Sequence, residues 1–205
     1  GIRDTSVTGV QTCALPIWSS GQDGLSVGQN YFFNTSLSSD ISPFKHLDQN
    51  TVVNTEQTVV TNLTAHQQDV LVDSGWLTVS GDPGVLVIPN GLWHSYVYFT
   101  KEAQNHDIDY YFTVSKYSTG ATVTLLFTSD PSALDWNTNN TIPVEVRSNG
   151  LATTAVLDPT DRILVKIFLN NNDNTNRTVT FYTEGTQHYS YIITTLGVKS
   201  SSSGT

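Results

Sequence analysis

Apolar and polar residues alternate with a period of two along much of this chain. In the segment Arg162 to Leu169, the residues Ile163, Val165, Ile167 and Leu169 fall on one side. They line one face of a strand, because successive strand side chains point to opposite faces. Val179 and Phe181 repeat the pattern between Arg177 and Thr183, and Tyr189, Tyr191 and Ile193 repeat it up to Thr195. Turn-forming residues, Asn170 to Asn176 and Glu184 to His188, separate the three runs. The pattern predicts a three-strand meander.

Earlier in the chain, Trp93, Ser95, Val97 and Phe99 alternate with His94, Tyr96, Tyr98 and Thr100. Between Ile108 and Tyr117, the residues Ile108, Tyr110, Phe112 and Val114 form one face; Asp109, Tyr111, Thr113, Ser115 and Tyr117 form the other. Val123, Leu125 and Phe127 follow the turn Ser118-Thr119-Gly120 and predict a hairpin. Shorter strands are expected at Asn30–Asn34, Thr51–Leu63 (with a bulge), Gln68–Trp76, Val144–Val146 and Ala152–Leu157. Leu37–Asp48, Thr78–Asn90 and Ser129–Thr141 read as loops. No stretch carries sustained helical periodicity. The expectation is an all-β, antiparallel two-sheet β-sandwich of eight to ten strands over residues 29–196, with a jelly roll favoured.

Composition sharpens this picture. Only 13% of the 205 residues are charged, and the net charge is -9. An acidic surface argues against duplex nucleic acid or an anionic membrane as partner. No apolar run reaches the ~20 residues of a transmembrane helix. Cys13 is the single cysteine, so no intramolecular disulfide and no thiolate zinc site is expected.

Two resemblances stand on particular residues. Asp161-Arg162-Ile163, Thr178 to Tyr182, Gly185 to Ser190 and the element Ile88-Pro89-Asn90-Gly91-Leu92-Trp93 resemble a domain of tail-fibre-like structural proteins of tailed bacteriophages. That resemblance implies a non-enzymatic virion module, homotrimeric, contributing to attachment at host-surface glycans. A carbohydrate-binding module of a larger secreted enzyme is the runner-up. The first 18 residues resemble a translated sequencing adapter, so a fragment of a longer protein is expected, with linkers at 19–28 and 197–205.

Candidate chemistry is sparse. The five histidines (His46, His66, His94, His106 and His188) have no metal-ligand spacing, and there is no Gly-x-Ser-x-Gly elbow. Asp107 and Asp109 share a strand face but read as a solvated pair. The run Asn170–Asn176 offers one carboxylate, Asp173, too few for a calcium loop, and reads as a hairpin turn. Glu184 and His188 are expected to hydrogen-bond across their turn. No cofactor and no metal is expected. Glycan contact, if any, is assigned to aromatic rings with polar neighbours: Trp136 with Asp135 in a loop, Tyr111, Tyr117 and Asp109 on one strand, Tyr96 and Tyr98 on another.

Overall fold

The computed structural model describes residues 28–50, 55–102, 107–136 and 141–197. The expected adapter-like leader and nearly all of both expected linkers lie outside the described residues, as do 51–54 of the expected strand Thr51–Leu63.

The described chain is all-β. Its fifteen strands are β1 (Gly28–Ser38), β2 (Lys45–Asp48), β3 (Gln57–Leu63), β4 (Val70–Leu71), β5 (Trp76–Thr78), β6 (Val87–Ile88), β7 (Gly91–Lys101), β8 (Ile108–Ser118), β9 (Thr122–Thr128), β10 (Ser132–Ala133), β11 (Val144–Ala152), β12 (Ala155–Val156), β13 (Arg162–Asn171), β14 (Arg177–Thr183) and β15 (Tyr191–Gly197). Thirteen join one continuous sheet; β6 and β12 pair separately. The number therefore exceeds the expected eight to ten. The pairing is mixed, because β2 runs parallel to β5.

Two long strands organise the sheet. β11 lies along one edge of β7 from Phe99 to Gly91. The other edge is shared: β14 pairs with residues 98–101 and β15 with residues 94–96. Ser190 fills the junction, accepting from the Tyr98 amide at 3.0 Å and donating to the Tyr182 carbonyl at 2.6 Å. β13 has the same design. β8 covers one edge from Arg162 to Asn171, while β5 and β4 divide the other. β1 joins the two halves by pairing with β15 on one side and β2 on the other.

The core lies where the halves face each other. β7 and β8 are not paired, yet Phe99 and Tyr110 meet at 5.3 Å between ring centroids. Trp93 meets Phe127 edge-on at 5.4 Å. Ile163, Val165, Ile167, Leu169, Val179 and Phe181 are fully buried, on the faces their alternation assigns.

Four local expectations are corrected. The final three strands do not form a meander: β13 pairs with β8, β14 with β7 and β3, and β15 with β7 and β1. The Asn-rich run is a crossover between the halves, held by Arg177 on Asp173 (2.7 Å) and by Asn171 donating to the Thr64 and Thr175 carbonyls (both 2.8 Å). The loop Leu37–Asp48 contains β2, whose single buried side chain is Leu47. β11 spans nine residues where Val144–Val146 was expected, because its inward positions are Val146, Ser148, Gly150 and Ala152. Those side chains are mostly too small or polar to register as an apolar face.

Gly150 explains why one of them is so small. A β-carbon there would sit 2.6 Å from the Phe127 ring and 3.3 Å from the Ser129 backbone. Gly150→Val is expected to lower stability by about 1–3 kcal/mol through overpacking. Urea titration checks this; an unchanged midpoint would show that Phe127 moves aside freely.

Candidate functional site

The outward face of β7 and β11 is a ladder of matched side chains. Leu92 lies opposite Leu151, His94 opposite Asn149, Tyr96 opposite Arg147, and Tyr98 opposite Glu145. Three of these rungs are chemically coupled. His94 Nδ1 and Asn149 Oδ1 are 2.7 Å apart. The Arg147 guanidinium stands 4.8 Å over the Tyr96 ring. The Tyr98 hydroxyl donates to Glu145 at 2.9 Å. Burial, then the bond to Glu145, pushes the Tyr98 hydroxyl up to about 12, so it stays a donor throughout the neutral range.

The register extends the ladder sideways into a row across five strands. Asp48, Phe32, Tyr191, Tyr96 and Arg147 are successive cross-strand partners. Tyr96 and Tyr191 stack at 5.0 Å with their planes 6° apart, and Phe32 leans on Tyr191 at 5.6 Å. Tyr189 tilts against both Phe32 and Tyr191. His188 meets Tyr98 and Tyr182 edge-on, and its Nδ1 lies 2.7 Å from Glu56 Oε2. Period-two geometry builds this platform, since every second residue of each strand is pushed outward. Leu92 and Leu151 remain 51% and 61% exposed at its end, so an aliphatic patch adjoins the aromatic row.

The charges along the ladder are internally balanced. Arg147 Nε and Nη2 each lie 2.7 Å from Glu145 Oε1. The face is rich in Tyr with one Arg, residue types enriched in contact surfaces, and Asp48 and Glu56 at its margins leave it acidic beyond the balanced Arg147–Glu145 pair.

The sequence-assigned contact residues are dispersed. Tyr96 and Tyr98 stand together on the ladder. Asp109 and Tyr111 stand together on the outward face of the opposite half. There Tyr111 stacks on Phe168 at 5.1 Å and donates to Asp69 at 2.7 Å. Asn172 bridges Asp109 (3.0 Å) and Asp107 (3.3 Å), which are tied together rather than free. Tyr117 keeps its assigned face but is buried, because the loop carrying Ile41 and Phe44 covers it with Leu77 and Leu164. Trp136 is half-buried against the core, with Lys101 Nζ 5.0 Å over its ring, while Asp135 is exposed. Glu184 does not bond His188; its Oε1 accepts from the Ser36 amide at 2.6 Å. Sequence reading missed Tyr191, Phe32, Arg147 and Glu145 as one site. The alternation of Tyr189, Tyr191 and Ile193 was visible, but the register that lays Tyr191 on Tyr96 was not.

His188 with Glu56 resembles the base and orienting carboxylate of a hydrolytic triad. Among the described residues no hydroxyl is hydrogen-bonded to the imidazole. Among the same residues no group of three or more His, Cys, Asp or Glu is placed to hold a metal ion.

No family model and no curated protein sequence matches the chain. Solved structures do. An alpha-amino acid ester hydrolase superposes with a TM-score of 0.56 at 10% identity, over 82% of this chain and 36% of that one. An aminopeptidase from a marine sediment Thaumarchaeota archaeon gives 0.54 at 8%, over 82% and 37%. A CocE/NonD family hydrolase from Staphylococcus aureus gives 0.53 at 9%, over 82% and 36%. The chain thus spans little more than a third of the length of the structures it matches. These likenesses concern the fold alone: the same all-β arrangement occurs as about a third of each of these solved hydrolases. They overturn the expectation of a non-enzymatic phage-appendage module.

Proposed function

We propose that this chain is the all-β unit of a larger acyl hydrolase of the ester- or peptide-cleaving kind, with the nucleophile and its oxyanion donors supplied by the rest of that enzyme. The observation that carries this reading is the superposition of 82% of the chain on about a third of several hydrolases. In this reading the continuous sheet is a two-layered sandwich of jelly-roll type, and β1 is the strand that passes between the layers. The unit contributes a packing surface rather than chemistry. The Tyr96–Tyr191 row and the Leu92–Leu151 pair are the surface that seats the catalytic unit, because they join flat aromatic area to the balanced Arg147–Glu145 pair.

The decisive experiment is recovery of the flanking reading frame from the source DNA. An adjoining catalytic unit with a serine nucleophile is the expected result. Fibre-like or collagen-like repeats on both sides would overturn the proposal. In the full-length protein, Tyr96→Ala with Tyr191→Ala is expected to uncouple melting of the β unit from the remainder. In the isolated chain the same double change removes one stacked pair and costs about 0.5–1.5 kcal/mol beyond lost buried area. Calorimetry of both forms separates the two effects; equal effects in both would remove the ladder from the interface.

A further inference from the structure

The outward face of the other half holds a cavity of about 400 Å³ beneath the loop that follows β1, lined among others by Asp40, Ile41, Tyr117, Thr119, Thr160 and Arg162. Arg162 and Tyr117 are cross-strand partners in β13 and β8, so the guanidinium and the ring lie side by side on this face. Arg162 is 5% exposed. Its Nε donates to the Thr78 carbonyl at 2.6 Å, which fixes the plane of the guanidinium. The other two nitrogens form a fork on Asp40, Nη1 to Oδ2 at 3.1 Å and Nη2 to Oδ1 at 2.7 Å.

The two partners of this ion pair differ in one respect. The Asp40 side chain is 61% exposed. Arg162 is held inside the protein and requires an anion, whereas its carboxylate partner stands largely in water, where an outside anion can compete with it for the guanidinium. A planar guanidinium fork suits a carboxylate more than a tetrahedral anion. Ser80, Ser118, Thr119 and Thr160 also line the cavity, and the Thr119 and Thr160 hydroxyls lie 3.1 Å apart.

We propose that this cavity is a binding site for a small organic carboxylate bearing hydroxyl groups. The ligand carboxylate replaces Asp40 on Arg162, and its hydroxyls meet the Ser and Thr side chains around the cavity. Asp40 is the built-in occupant that holds the site when no ligand is bound. This inference is independent of the hydrolase reading, since it uses only the Arg162 face.

The test is a titration of the full 205-residue chain with gluconate, acetate and inorganic phosphate, followed through the Arg162 Nε–H resonance and the thermal midpoint. For the natural chain, saturable binding is expected in the order gluconate, acetate, phosphate. Asp40→Ala removes the competitor and is expected to bind gluconate at least tenfold more tightly, with a larger rise in midpoint. Arg162→Gln is expected to bind none; Thr119→Ala, which leaves the ion pair intact, is expected to weaken gluconate but not acetate. Rescue of Asp40→Ala by carboxylates without saturable binding to the natural chain would overturn the proposal, leaving a structural ion pair. Equal affinity of all three anions would also overturn it.

Discussion

Phe181→Ala is expected to destabilise the chain by about 3–5 kcal/mol, the cost of emptying a large aromatic site in a packed core. The Phe181 ring is fully buried and meets three others: Phe99 at 5.3 Å, Trp76 at 5.5 Å and Phe33 at 6.0 Å. Those rings come from β7, β5 and β1, which belong to different stretches of the sheet. The site cannot collapse around the missing ring without moving all three strands. For a domain whose whole stability is of order 5–15 kcal/mol, that is a large share. Urea unfolding, followed by tryptophan fluorescence through Trp76 and Trp93, measures it. A loss below about 1 kcal/mol would contradict the described core.

Asp161→Ala is expected to cost about 1–3 kcal/mol at neutral pH by removing a buried acceptor. Asp161 is 1% exposed; its Oδ2 accepts from the Asp158 amide at 2.8 Å and lies 3.5 Å from Lys116 Nζ. Burial alone would raise its carboxyl, but the Asp158 amide, the Ser118 hydroxyl and Lys116 hold it below the usual carboxylate range. The sign of the pH effect follows. A carboxyl whose folded value lies below its unfolded value of about 3.9 contributes stability above pH ~4 and loses it as pH falls through the folded value. Asp40, held low by Arg162, acts in the same direction, but it is exposed and so contributes less. The natural chain is therefore expected to lose stability more steeply below pH 4 than Asp161→Ala does. Urea midpoints between pH 7 and pH 2 test this, and parallel acid limbs would remove Asp161 from the explanation.

The site was partly legible. The alternation in Trp93 to Thr100 put Tyr96 and Tyr98 outward, and they are outward. The same rule put Tyr117 on an outer face, and it is there, but a loop roofs it. Periodicity assigns a side to a residue without saying what covers that side. Trp136 is a second case, because a polar neighbourhood in sequence did not prevent its ring from packing on the core.

Local alternation in the sequence alone establishes that the described residues are β, that β8 and β9 form a hairpin, and which side chains of β7, β8, β13 and β14 face inward; on β15 it picks out Tyr191 and Ile193, whereas Ile192, Thr194 and Leu196 are the buried ones. These properties depend on neighbours one or two positions apart, where the strand period acts directly. Only the tertiary structure decided that β13, β14 and β15 find three different partners, that β11 runs on past Val146, and that Tyr191 stacks on Tyr96. Pairing depends on register and on which edges remain open after the other strands have docked. A strand's own pattern carries neither, since any apolar face fits any other of similar length until shape and hydrogen bonding choose between them.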